Sequence, residues 1–386
     1  MLPSLAHILQ HFQNRRPIRA GSLITTVLGD AIVPHGGEVW LGSLIKALEP
    51  FGLNPRLTRT AVFRLTQDHW LTANPVGRRS YYEVTDFGQR HFKQAFKVIY
   101  AHQSPPWDGT WTLVLLGQLE NDERKQLKQG LQWLGYGQAC PQTMLHPTAE
   151  HDDLDALLEE LKLTGKVLVL DQAVPANPLS VSTTEQVRSY WDFSALSHSY
   201  QEFLSLFTPL LAATKQQALS PEEAFMARTL LIHDYRRILL RDPLLPDELV
   251  SPNWPGHDAR QLAQDLYQQL WAAAEIYISS AFETAAGEIP KASDHFYQRF
   301  GGLAYHPTIL CFETRVLSVP VAYVGGCLLL ALRVHIHAAS AGSVRLGLDN
   351  LACPYVSTPV RYRSPAAIPS QAFPPPYCVR HTQNRL

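Results

Sequence analysis

RLTRTAVFRLTQDHWLTANPVGRRSYYEVT, from Arg56 to Thr85, is the stretch on which the reading of this chain turns. It follows Asn54-Pro55, an Asn able to cap free N–H groups and a Pro suited to the first helical position, so a helix is predicted from there to about His69. On that helix Leu57, Ala61, Val62 and Leu65 share one side, while Arg56, Arg59, Thr60, Arg64 and Gln67 share the other. No acid interrupts the polar side until Asp68. A merely solvated face usually mixes signs, and this one does not. Trp70-Leu71-Thr72 then reads as a strand, Asn74 to Arg79 as a turn, and Tyr81 to Thr85 as the returning strand.

Upstream, a helix is expected from Pro17 to Ile32, with Leu23, Ile24, Val27 and Leu28 at helical spacing, broken at Val33-Pro34-His35-Gly36-Gly37. A second runs from about Glu38 to Glu49 and ends at Pro50 and Gly52. Helix, helix, basic helix and hairpin is the order of a winged helix-turn-helix. That layout predicts Arg56, Arg59, Thr60 and Arg64 in the major groove of DNA, with Arg78 and Arg79 of the wing on the backbone or adjacent minor groove.

Charge is segregated along the chain. The 386 residues sum to -1, yet residues 1–100 hold 12 basic against 6 acidic side chains, residues 101–303 hold 14 against 26, and residues 304–386 hold 7 against 2. A basic module on an acidic body suits a protein that meets phosphates with one part only. Four of the five cysteines (Cys311, Cys327, Cys353, Cys378) follow residue 303, leaving Cys140 alone before it, which argues against a disulfide framework. The first residues, MLPSLAHILQHFQNRRP, lack a basic n-region, an apolar core and a cleavage site, so the expected location is the cytoplasm.

Beyond a helix over 91–106 that ends at Ser104-Pro105-Pro106, the pattern alternates. Trp111 to Gly117 is a strand, Asn121 to Leu134 a helix, Ala139 to Leu145 a short extended run, Asp152 to Leu161 a helix, and Lys166 to Leu170 a strand, which suggests a small α+β sandwich. Thr184 to Ile278 is helical, broken by Pro209, Pro221 and the loop Asp242 to Gly256, and is expected to form a separate helical domain. The fold class is therefore α+β and multidomain.

Three groups of motifs now carry a family resemblance. GDAIVPHGGEVWLGSLIKAL (Gly29 to Leu48), RLTRTAVFRLTQDHWL (Arg56 to Leu71) and VGRRSYYEVTDFG (Val76 to Gly88) resemble the N-terminal part of the PaaX family, the phenylacetic acid degradation repressors. WDGTW (Trp107 to Trp111), HDYRRILLRDPLLPDELVSPNWPGHDAR (His233 to Arg260) and FYQRFGGL (Phe296 to Leu303) resemble its middle and C-terminal parts. The resemblance covers residues 17–303. It implies a winged helix-turn-helix DNA-binding domain (17–100), a central ferredoxin-like, Cas2-like domain (107–180), which is read as a scaffold or dimer interface, and a helical domain (184–303), read as ligand-sensing. It also implies a homodimer on palindromic double-stranded operator DNA, with phenylacetyl-CoA, an acyl-CoA effector, as inducer. From the residues themselves, no metal, cofactor, membrane partner or enzymatic activity is expected.

The residues themselves leave the effector open. His233, Arg236, Arg237 and Arg241 lie close along one helix and are followed by Trp254, His257 and Arg260. Arginines suit coenzyme A phosphates and an aromatic ring can stack on a planar group. The competing reading sets Arg236 and Arg237 in ion pairs with Asp234, Asp242, Asp247 or Glu248. An acyl-CoA-processing enzyme with His233 or His257 as base is an alternative, though no nucleophile elbow, zinc motif or carboxylate pair accompanies it. A DNA-binding protein without any small-molecule ligand is another. Nuclease chemistry in the central domain is not expected, since its first strand ends at Leu116-Gly117-Gln118, with Glu120 beyond, where a hard cation would want a carboxylate.

Residues 304–386 depart from the family. Val316 to Leu332 is uncharged between Arg315 and Arg333, at the lower limit for a membrane span, but Pro320 and Gly325-Gly326 count against one. His335, His337, Cys353 and Cys378 lack the paired spacing of a metal site. This segment is expected to be an atypical tail.

Overall fold

The computed structural model describes residues 1–15, 19–104, 106–117, 119–148, 151–175 and 181–304, together with three strands further on. The chain divides into two compact units, Met1–Ile309 and Leu310–Leu386.

The first unit opens with α1 (Pro3–Asn14), which places Leu5, Ile8 and Phe12 in the core. The sequence reading did not anticipate α1; the helix expected over Pro17 to Ile32 is α2 (Ala20–Val27), widened into a π-helical turn at Leu28–Ile32 and tightened at Val33–His35. Gly36, at a φ of 97°, ends it in a left-handed conformation that glycine adopts without a Cβ clash. The helix expected from Glu38 begins later. Glu38–Trp40 is a short strand, β1, and α3 covers Leu41–Leu48. Val39 and Trp40 favour extended backbone, and β1 finds a partner in the returning strand of the hairpin, with Val39 opposite Tyr82 and Trp40 opposite Tyr81. α4 (Pro55–Gln67) begins as expected, the Asn54 side chain accepting from the Leu57 N–H at 2.9 Å. The hairpin is longer than its sequence suggests. β2 (Leu71–Val76) pairs with β3 (Arg79–Val84) down to Val76 opposite Arg79, so the turn is Gly77-Arg78 rather than Asn74 to Arg79. Gly77 has a φ of 59°, as a two-residue hairpin turn requires. α5 (Asp86–Ile99) starts earlier than the expected 91–106, because Thr85 caps it by accepting from the Gly88 N–H, and it also ends earlier, at Ile99.

The middle of the unit has the β-α-β-β-α-β order β4 (Trp111–Leu115), α6 (Asn121–Trp133), β5 (Gly137–Cys140), β6 (Thr143–His146), α7 (His151–Glu160), β7 (Leu168–Ala173). All pairings are antiparallel, in the spatial order β5-β6-β4-β7. That is the ferredoxin-like arrangement. Val114 and Met144 of the sheet pack with Leu127, Leu131, Leu154 and Leu158 of the two helices to make its own core.

Four helices follow: α8 (Val181–Arg188), α9 (Ser194–Thr214), α10 (Pro221–Leu239) and α11 (Pro255–Ala281). Pro209 was expected to break the helical run but lies inside α9. Tyr200, Phe203, Phe207 and Leu210 bury that helix on both sides of the proline, and packing overrides the missing hydrogen bond. Pro221 does mark a helix start, with a Ser220/Glu223 capping box. A small hairpin, β8 (Glu283–Thr284) and β9 (Gly287–Glu288), and α12 (Asp294–Tyr297) complete the unit.

Most of the helical segment's buried side chains join those of α1 to α5 in one continuous cluster, while Val187, Leu245, Leu249 and Val250 pack with Trp111 and Leu145 of the ferredoxin-like sheet. At the centre of this shared core Asp30, in the π-helical turn, accepts from Arg228 Nε at 2.7 Å, Arg299 Nη1 at 2.9 Å, the Tyr100 hydroxyl at 2.6 Å and the Tyr267 hydroxyl at 3.0 Å. Arg228 Nη1 also donates to Glu275 Oε1 at 2.7 Å, and His35 meets Glu275 Oε2 at 2.9 Å. Burial alone would push the Asp30 carboxyl up, but Arg228, Arg299 and the Tyr100 hydroxyl outweigh it and hold the group below the usual carboxylate range.

The second unit contains β10 (Val316–Ser318), β11 (Arg333–Ala338) and β12 (Val344–Leu348), antiparallel and in that order. The rest of the uncharged Val316 to Leu332 stretch, and Cys311, Cys327, Cys353 and Cys378, lie outside the described residues. Among those described, no helix is long and apolar enough to cross a membrane.

Candidate nucleic-acid interface

α4 is fixed by its apolar side and free on the other. Thr58, Ala61, Val62 and Leu65 are buried, and the helix packs on α2 and α3. Arg56, Arg59, Thr60, Arg64 and Gln67 are all exposed, as the spacing predicts. Arg56, Arg59 and Arg64 have no carboxylate within ion-pair distance among the described residues. Between them projects Phe63, 62% exposed, which the sequence reading passed over. Its place in the series Arg56, Arg59, Phe63, Gln67, steps of three and four residues, was a legible signal that it shares the cationic face. The face therefore carries three guanidiniums and a ring, and such a surface can donate to base edges and phosphates and contact a thymine methyl.

The β2–β3 hairpin splits the two adjacent arginines assigned to it. Arg78 sits in the turn, exposed, beside an exposed Val76. Arg79 is the first residue of β3, and its side chain, 52% exposed, lies back along the sheet surface. Its guanidinium lies over the Trp40 ring, 4.4 Å from the centroid, and Nη1 donates to Glu283 Oε2 at 2.8 Å. Glu283 belongs to β8, which follows α11. The same small hairpin is held at a second point, where the Ala285 N–H donates to Glu38 Oε2 at 3.0 Å. The segment after α11 is thus fastened to β1 and β3 of the basic module. Nothing in the local sequence of either segment signals this contact, which spans about 200 residues of chain.

The seven residues proposed as effector ligands do not form one site. His233 is buried, its ring edge-on to Phe12 and Nδ1 3.0 Å from the Thr26 hydroxyl. Burial drives its pKa down to about 3, so it is a neutral core histidine. Arg236 is turned to α2, donating from Nε to Thr26 Oγ1 at 2.8 Å and from Nη2 to the Ser22 carbonyl at 2.7 Å, and burial lowers its pKa to about 10. Trp254 packs against Phe193 and Tyr200. His257 and Arg260 line a small cleft, in which His257 Nε2 lies 3.1 Å from Asp247 Oδ1, the Ser104 hydroxyl donates to the same oxygen at 2.6 Å, and Arg260 Nη1 donates to Ser104 Oγ at 2.7 Å. The serine faces the carboxylate and the guanidinium rather than the imidazole, so these groups are not set as nucleophile and base. Only Arg237 and Arg241 face the larger cleft, about 860 Å³, between α1, α6, α9 and the end of α10. Arg237 Nη1 is 3.8 Å from Asp234, in keeping with the ion-pair reading of that residue. Sequence reasoning missed the cleft's other members, Arg15, Trp133, Tyr190 and Trp191, because three separate segments bring them together.

Comparison with known proteins locates these elements within a family. Residues 19–88 match the family described as PaaX-like protein, residues 104–182 the PaaX protein central Cas2-like domain, and residues 191–280 the PaaX-like protein C-terminal domain. The transcriptional repressor PaaX of Escherichia coli (strain K12) is 38% identical over 312 residues, which is 80% of this chain and 99% of that protein. A solved structure, the uncharacterized protein Rv0674 from Mycobacterium tuberculosis, is 19% identical with a TM-score of 0.43, over 64% of this chain and 96% of that one.

Proposed function

The chain belongs to the PaaX family, and from that premise we propose that it is a DNA-binding transcriptional repressor of an aromatic catabolic operon, released from its operator by phenylacetyl-CoA. The observation that carries the DNA-binding half is the exposed face of α4, three guanidiniums without a carboxylate partner among the described residues, next to a hairpin whose turn holds a fourth. In this reading residues 17–100 act as a winged helix-turn-helix. α4 enters the major groove, where Arg56, Arg59 and Arg64 face guanine edges and phosphates and Thr60 faces a base or phosphate. Arg78 reaches the backbone or the neighbouring minor groove from the wing, and Arg79 contributes once it leaves Glu283.

Two copies would match a two-fold operator, with the ferredoxin-like segment as the surface that joins them. Release requires the thioester to bind the form that no longer fits the half-sites more tightly than the form that does. A titration of the DNA upstream of the gene, at fixed salt, with and without phenylacetyl-CoA, and with free phenylacetate and coenzyme A as controls, tests both halves. Binding that only the thioester abolishes is the expected result. Failure to bind the upstream DNA contradicts the repressor reading, and binding indifferent to all three compounds contradicts the effector.

A further inference from the structure

We infer that the cleft between α1, α6, α9 and the C-terminal end of α10 is the effector site, and that it takes a phosphorylated ligand carrying a planar ring, with Arg15, Arg237 and Arg241 as the anion-binding groups and Trp133 as the ring platform. The identification of that ligand as a coenzyme A thioester rests on the repressor reading above. The cleft is large enough, about 860 Å³ against the roughly 300–1,000 Å³ usual for small-molecule sites.

Its charge is unevenly satisfied. The walls carry four carboxylates, of which only Asp234 meets a guanidinium among the described residues. Asp234 receives Arg15 through two hydrogen bonds, at 2.5 and 2.8 Å. Asp242 accepts from the Tyr200 hydroxyl and the Leu244 N–H, Asp192 from Ser194, and Glu202 lies beside His198. Arg237 is left with a 3.8 Å contact to an Asp234 oxygen that Arg15 already holds, and exposed Arg241 has no carboxylate within ion-pair distance among the described residues. Burial lowers the Arg237 pKa; Asp234 opposes that shift, and the like charges of Arg15, Arg241 and Arg19 add to it. An anion entering here relieves that repulsion, and guanidiniums suit phosphate oxygens. Trp133 supplies the second chemistry: it ends α6 on the cleft wall and is 79% exposed, where a buried place would be usual for so large an apolar ring.

The position also gives the ligand a route to α4. Asp234 and Arg236 are two residues apart on α10. The first holds Arg15 at the end of α1, and the second holds Ser22 and Thr26 of α2, which packs on α4. A phosphate that draws Arg15 away from Asp234 loosens the same turn of α10 that grips α2.

The experiment is calorimetric titration of the full chain with phenylacetyl-CoA and with coenzyme A, each also read by operator retention. The Arg237→Gln/Arg241→Gln double variant should lose about tenfold or more in affinity for both compounds, and Trp133→Ala several-fold, while His257→Ala in the smaller cleft keeps wild-type affinity. Wild-type affinity in the double variant, with unchanged melting, overturns the site, as does absence of binding by the wild type. Thioester that binds in the cleft but leaves operator bound contradicts release and keeps the site. Release that survives the double variant contradicts the site and keeps release.

Discussion

Arg78 and Arg79 are neighbours in the chain with different surroundings. Arg78 faces solvent, whereas Arg79 is shared between Trp40 and Glu283. A phosphate approaching Arg79 would therefore have to compete with Glu283. Glu283→Gln should raise affinity for non-specific DNA about threefold at low salt, and the gain should fade as salt screens it. Equal or weaker binding by that variant at low salt contradicts the competition.

His233 supports a prediction of another kind. Its folded pKa of about 3 lies below the unfolded value of about 6.5, so between those limits the unfolded chain binds a proton that the folded chain refuses. Stability is lost as pH falls from about 6.5 toward about 3, by up to about 1.4 kcal/mol per pH unit from this group at the steepest. His146, lowered to about 4 by burial, adds in the same direction. Urea midpoints across that range should fall less steeply for His233→Gln than for the wild type, and parallel curves would contradict the assignment. At this scale the sequence exposed the cationic face of α4 because one helix period is enough to show it. The burial of His233 was hidden, since Phe12 and Thr26, more than 200 residues away, create it.

Among the elements, α4 depends on a short signal that was legible in full. Asn54 caps it and Pro55 opens it, and both are local features of the chain. Asn54→Ala should cost about 1 kcal/mol, read as a lower urea midpoint with an unchanged slope, and should weaken DNA binding no more than that loss explains. A variant as stable as the wild type would show that the cap is idle. The alternation of strand and helix in the ferredoxin-like segment was readable too, but the short run Ala139 to Leu145 concealed two strands, β5 and β6, because their turn at Pro141-Gln142 carries no glycine to mark it. β1 was not readable. Val39, Leu41, Leu44, Ile45 and Leu48 together look helical, and only pairing with Tyr81–Glu83 makes Glu38–Trp40 extended. Pro209 misled for the same reason, since the partners of α9 lie elsewhere in the chain.

For the whole first unit, the Asp30 cluster matters most. It joins the π-helical turn, α5, α10, α11 and Arg299, segments that the sequence assigns to separate domains. Asp30→Asn would leave Arg228 and Arg299 with only part of their buried countercharge. The expected loss is about 3–5 kcal/mol by urea denaturation. A loss under about 1 kcal/mol would mean that the network is dispensable. The shared core escaped sequence reasoning because hydrophobic period shows which face of a helix is buried and not against what.

The most direct test of the central claim compares the wild type with the Arg56→Ala/Arg59→Ala/Arg64→Ala variant on the upstream DNA and on a scrambled duplex of equal length, at one physiological salt concentration. All three side chains are exposed, so the fold should survive. The preference for upstream over scrambled DNA should disappear and the overall affinity should fall at least about tenfold. A folded triple variant that keeps wild-type preference and affinity would place DNA recognition somewhere other than α4.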